Sequence, residues 1–265
     1  LEGQADFYQA FEPDMIKIMT DGFFGYPHPL LQKAVDSPKE LMAITPLGRE
    51  SEWFAAQIRY ARKLVSIYGK ETPLFYNLFA VPRTIEFMQT GIGHPVNLSD
   101  WLKQEPNKLA HVLDGIYLSV NNISCNEVTE EAYRKIIAPY EQKILEAANR
   151  AGGENILHIC GYHGFHNHLS WYREYPFLAV NWAAKVEGVS LSEGKKLFQG
   201  KAVIGGFGQT EKDLIYSGTE EAIKAETRRL LDEAGRIGVV LGADCTIPRD
   251  TPVSHLKWVR EAANE

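Results

Sequence analysis

Seven short apolar runs recur along this 265-residue chain, and stretches with helical periodicity separate them. The runs cover residues 15–19, 73–79, 115–120, 155–160, 178–182, 202–206 and 238–242. Most are apolar nearly throughout rather than alternating apolar with polar. A strand open to water on one face alternates, whereas a strand covered on both faces has no polar side to show. The pattern therefore predicts a parallel sheet covered by helices.

Helices are expected over residues 49–68, 127–150, 219–235 and 252–263. The second is read as starting from Asn126, with Glu130 and Glu131 in its first turn, where acids suit the positive end of a helix. The third opens at Thr219 and stops at Gly235, so both of its ends are marked. Repeated β–α alternation gives an α/β protein, either an open doubly wound sheet or a closed ring. No Gly-x-Gly-x-x-Gly follows the first strand, which speaks against the dinucleotide-binding version. The expectation is a (β/α)8 TIM-like barrel formed by one domain, residues 1–265. An eighth strand is sought within residues 21–45 or upstream. The chain begins at Leu1 rather than Met, so an N-terminal part is expected to be missing.

Composition narrows the function. Apolar residues make up 45% and charged residues 23%, which excludes a disordered or fibrous chain. The net charge of −6 offers no basic surface for nucleic acid or for an acidic membrane. No apolar run approaches the roughly 18 residues a membrane helix needs. Three cysteines, Cys125, Cys160 and Cys245, are too few and of the wrong parity for a secreted disulfide framework. Reduced thiols and a cytoplasmic location are expected.

In a barrel of this kind, chemistry collects where strands end. His158 and Cys160 stand two residues apart at the end of one predicted strand, so their side chains share a face. Cys245 follows another strand end, 85 positions after Cys160. One imidazole and two thiols at one rim form the ligand set of a three-ligand zinc site, whose fourth position stays open. Packing cysteines buried at strand ends would leave the same letters in the sequence. After the strand come Tyr162, His163, His166 and His168, any of which could offer a ligand, a base or an anion contact, or could simply be solvated. The turn at Gly205, Gly206 and Gly208 could bring backbone N–H groups to an anion, or could serve only to turn the chain. Asp21 ends the first strand, and Asp244 could contact a ligand or cap the turn beside Cys245.

Four stretches resemble the uroporphyrinogen decarboxylase superfamily: residues 157–161 (Leu-His-Ile-Cys-Gly), 181–191, 200–207 and 238–248. The resemblance runs from about Asp14 to the C-terminus and is densest after Asn155. It implies a (β/α)8 barrel and one of two chemistries. One is cofactor-free decarboxylation of tetrapyrrole acetate groups. The other is zinc-dependent methyl transfer between a corrinoid and a thiol such as coenzyme M. The decarboxylase branch carries an arginine pair in an N-terminal Pro-Arg-Gln-Ala-Gly-Arg-Tyr-like segment, which this chain lacks, although Asp21 falls where that branch has an aspartate. The methyltransferase branch carries His-x-Cys and a later Cys, which His158, Cys160 and Cys245 match in order.

The resemblance thus implies a methyltransferase-like enzyme with Zn²⁺ on those three residues. Cobalamin, on a separate corrinoid protein, would be the methyl donor. Asp21 and His163 are expected to act on the substrate. Asn77, Asn121, Tyr162, Phe207 and Asp244 are expected to contact it. The expected partners are a small thiol, a tetrapyrrole or corrinoid, and a second copy of the chain, with no nucleic acid and no membrane. The rivals are a uroporphyrinogen decarboxylase-type carboxy-lyase and a barrel that binds a corrinoid or metal without turnover.

Overall fold

The computed structural model describes residues 2–18, 25–41, 43–44, 47–48, 50–68, 72–77, 81–96, 119–121, 128–150, 155–161 and 166–265. After an opening helix α1 (Glu2–Phe11), seven strands occur among them: β1 (Ile16–Ile18), β2 (Leu74–Tyr76), β3 (Ser119–Asn121), β4 (Ile156–Cys160), β5 (Ala179–Trp182), β6 (Ala202–Phe207) and β7 (Val239–Ala243). Each lies within or beside one of the seven apolar runs. They form a two-stranded sheet, β1-β2, and a five-stranded sheet in the order β3-β4-β5-β6-β7. The pairs with described registers are all parallel. The sheet order follows the chain order, as successive right-handed β–α–β crossovers dictate. Closure into an eight-membered ring is not among the described pairings. Described residues 25–41 hold a 3₁₀ turn (Pro29–Gln32) and the four-residue helix α2 (Pro38–Leu41) where an eighth strand was sought.

The contacts divide the chain into two compact units. The first contains β1, β2, α2, α3 (Glu52–Tyr68) and α4 (Val81–Gly91). Ile18, Leu64 and Tyr68 form a small core there, with Tyr8, Ile16, Tyr60, Leu74 and Tyr76 packed against it. Gln89 is fully buried and secures the neighbouring loop: its Oε1 accepts Val35 N–H at 2.8 Å and its Nε2 donates to the Lys33 carbonyl at 2.9 Å. A buried amide needs such partners, because an unmet one costs about 1–3 kcal/mol.

The helix expected from Asn126 instead takes Thr129 as its N-cap, the Thr129 hydroxyl accepting Ala132 N–H at 3.2 Å. Asn126 itself lies outside the described residues. The helical stretch then widens into a π turn over Tyr133–Ile137, and Ala138 N–H donates to the Tyr133 carbonyl. Pro139 accounts for the widening. It has no N–H to give Lys135, and its ring crowds that carbonyl. Regular helix α5 (Ala138–Arg150) follows.

The second unit holds β4 to β7 and the helices α6 (Ala184–Glu187), α7 (Leu191–Leu197), α8 (Leu214–Ser217), α9 (Glu220–Ala234) and α10 (Val253–Ala263). Leu157, Ile159, Val180, Trp182 and Val203 are fully buried on its strands. α7 starts at a reciprocal cap: Ser190 accepts Glu193 N–H, and the Glu193 carboxylate accepts Ser190 N–H. Such caps contribute about 1 kcal/mol. The helix can lie close to β5 because Gly194 faces the Trp182 ring, where a Cβ would fall 2.0 Å from Cη2. α9 sets Ile223, Thr227, Leu230, Leu231 and Ala234 inward, a stripe of helical period. No helix among the described residues is long and apolar enough to cross a membrane.

Candidate metal centre

The period of β4 sorts its residues. Leu157 and Ile159 point to one side and are fully buried, while His158 and Cys160 share the other. Cys245 comes two residues after β7 ends at Ala243, and the ladder extends one step further through Asp244 N–H to the Phe207 carbonyl at 2.7 Å. The donor atoms of His158, Cys160 and Cys245 all lie within 4.8 Å of one another. Cys160 Sγ is 3.6 Å from Cys245 Sγ, and Cys245 Sγ is 3.7 Å from His158 Nε2. With Zn–S near 2.3 Å and Zn–N near 2.0–2.1 Å, tetrahedral zinc separates neighbouring donors by about 3.5–3.8 Å. Both measured edges fall in that range. The donors are soft or borderline, and they suit zinc better than magnesium or calcium.

Asn181 fixes the imidazole. It stands opposite His158 in the β4–β5 register, and its Oδ1 meets His158 Nδ1 in a short hydrogen bond. Its Nδ2 donates to the Ile204 carbonyl on β6 at 2.8 Å, which turns the amide oxygen toward the ring. His158 Nδ1 therefore carries a proton, and Nε2 faces the sulfurs. The Cys245 thiol is held well below its usual range. Its hydrogen bond with Cys160 is the largest cause, and His158 adds to it against the opposing effect of burial.

Asp244 is 1% exposed. Its Oδ1 accepts Gly206 N–H at 3.2 Å and its Oδ2 accepts Lys185 N–H at 3.0 Å, which ties the end of β7 to β6 and to the start of α6. Burial pushes its carboxyl up to about 6, against those two amide bonds. The glycine turn thus supplies an N–H to an anion, and that anion is the chain's own carboxylate. Gly205 and Gly206 have φ of +139° and +108°, and a Cβ on Gly205 would sit 3.2 Å from Asp244 Oδ1 and 3.4 Å from Asn181 Nδ2.

The loop after β4 is held by Glu187, whose side chain is 2% exposed. Its carboxylate accepts Asn167 N–H at 2.8 Å and Asn167 Nδ2–H at 2.6 Å. Asn167 Nδ2 also reaches the Cys160 carbonyl at 3.2 Å, and Gln209 Nε2 donates to the Gly161 carbonyl at 3.1 Å. The backbone at Cys160 is therefore braced from α6 and from the loop after β6.

Of the other residues singled out from the sequence, Phe207 is 2% exposed and lies in the core of the second unit. Asn77 belongs to the first unit, is buried, and donates its backbone N–H to the Ile18 carbonyl at 2.9 Å. Asn121 ends β3, and its side chain is not described. Asp21, Tyr162, His163 and Cys125 lie outside the described residues. The sequence reading passed over Asn181, Asn167 and Glu187. Asn181 stands at a predicted strand end, but its pairing with His158 follows from the β4–β5 register, which the sequence does not carry. Glu187 and Asn167 gave no comparable signal.

The description "Uroporphyrinogen decarboxylase (URO-D)" belongs to the family whose sequence profile matches residues 115–265. No curated protein matches the chain. Among solved structures, a methyltransferase from Methanosarcina mazei is similar, with a TM-score of 0.65 and 17% identity over 97% of this chain and 82% of that one.

Proposed function

We propose, for a chain that belongs to the uroporphyrinogen decarboxylase (URO-D) family, a zinc-dependent methyl transfer between a corrinoid and a thiol. The observation that carries the reading is the convergence of His158, Cys160 and Cys245 within 4.8 Å of one another, with both edges at Cys245 at tetrahedral spacing. The same reading takes the two parallel sheets as arcs of a (β/α)8 barrel. It places the corrinoid on a separate protein.

Zinc held by these three residues would bind the incoming thiol as a thiolate nucleophile at neutral pH. The chain's own residues prepare for this. On a bound ion Cys160 and Cys245 would supply thiolate sulfur, and His158 presents Nε2 because Asn181 retains the proton on Nδ1. Three protein donors leave a fourth tetrahedral position for substrate. Asp244 ties the turn beside Cys245 to Gly206, and Asn167, held by Glu187, reaches the Cys160 carbonyl.

Metal analysis of chain purified without chelator tests the reading. The expected result is near-stoichiometric zinc, lost in a Cys160→Ser, Cys245→Ser double variant. A metal-free wild type would defeat the proposal, and zinc retained by the double variant would defeat the ligand set. Turnover of uroporphyrinogen III by zinc-free protein would replace the proposal with decarboxylation centred on Asp21.

A further inference from the structure

Two cysteine sulfurs lie 3.6 Å apart at the ends of β4 and β7, both on half-buried residues. A disulfide needs about 2.05 Å, so the two sulfurs together must move by roughly 1.5 Å. Their strands are not neighbours in the sheet, and the ring that such a bond would close spans residues 160 to 245. With two strands between them, no ladder hydrogen bond has to break for the sulfurs to meet.

We propose that Cys160 and Cys245 form a reversible redox pair, whose oxidation to a disulfide removes two of the three donors and closes the centre to a metal ion. Closing to the ion rests on the ligand reading given above, whereas the bond rests on the sulfur geometry alone. The oxidant is a peroxide. One thiolate attacks a peroxide oxygen, the O–O bond breaks, and the departing oxygen leaves as water once protonated, giving a sulfenic acid. The second thiolate attacks that sulfur, the S–S bond forms, the S–O bond breaks, and hydroxide leaves to become water. Two thiols give up two electrons and two protons, and hydrogen peroxide becomes two waters. A dithiol reverses the change by exchange.

The test uses the full chain, reduced and stripped of metal, as wild type and as Cys125→Ser. One equivalent of hydrogen peroxide is added, remaining thiols are alkylated, and the digest is read by mass spectrometry. The expected result is a cross-linked pair of peptides carrying Cys160 and Cys245, short of two hydrogens, in both proteins, and reversed by dithiothreitol. Zinc competition on the oxidised chain should show a loss of affinity beyond the roughly 10–100-fold that outer-shell changes cause. Free thiols, or oxidation of one cysteine with the other left unpaired, would overturn the pair while leaving the zinc reading intact. A cross-linked chain that still binds zinc as the reduced chain does would overturn the closing of the centre and the ligand assignment together.

Discussion

Asn181 and His158 stand directly opposite each other across two parallel strands, and the amide oxygen of one meets the ring Nδ1 of the other. The amide is itself aimed by its bond to Ile204, so the orientation of a metal-facing imidazole is set two strands away. Asn181→Ala should keep the fold, since it removes one side-chain anchor from a well-packed strand. Zinc affinity should fall by about 10–100-fold, the usual cost of losing an outer partner of a ligating histidine. Competition with a chromophoric chelator measures this, and an affinity equal to wild type would remove Asn181 from the centre's design.

Gly205 lies where the supports of two donors meet. Its φ of +139° is strained for any side chain, and a methyl would press on Asp244 Oδ1 and Asn181 Nδ2. Gly205→Ala should lose about 1–3 kcal/mol of stability from backbone strain. It should also weaken zinc binding, because Asn181 must shift. Urea unfolding and chelator competition on the same variant separate the two effects. A stability loss with unchanged zinc affinity would show that the methyl is absorbed without moving Asn181.

Asp213 offers a test by pH. Burial opposes its ionisation, but bonds from Thr210 N–H (2.8 Å), Thr210 Oγ1 (2.7 Å) and Lys185 Nζ (3.0 Å) outweigh burial and hold the carboxyl below its ordinary value of 3.8. A depressed folded value stabilises the protein above the unfolded value, and that stability fades as pH drops through the folded value. Asp213→Asn should therefore be about 1 kcal/mol less stable than wild type at pH 7, with the gap narrowing below pH about 4. Urea midpoints measured across that window decide it. A gap that stays constant down to the lowest pH would contradict the assignment.

The strands could be read from the sequence because residues such as Leu157, Ile159, Val180 and Val203 are buried in nearly continuous apolar runs. The juxtaposition of His158 and Cys160 could be read because period two is a local property of any strand. The approach of Cys245 needed only the assumption that strand ends share a rim. What escaped depends on register and on dihedral angles. Asn181 touches His158 because β4 and β5 pair at those two residues, and a single sequence carries no record of which residues face each other. Asp244 shows itself only as a neighbour of Cys245, and its service to Gly206 follows from the turn's positive φ. The helix cap fell to Thr129 rather than Asn126 because the Thr129 hydroxyl is the one within reach of Ala132 N–H. The eighth strand has no counterpart among described residues 25–41.

The three converging donors arise from the ends of β4 and β7, with β5 and β6 made in between. A nascent chain that has emerged only through β6 holds an imidazole and one sulfur, too few to retain an ion firmly. On the zinc reading, capture would wait until residue 245 has left the ribosome and β7 has docked. Ion uptake during translation would then time-stamp the last strand's arrival, and a chain truncated before that point would scavenge no metal even with its earlier strands in place.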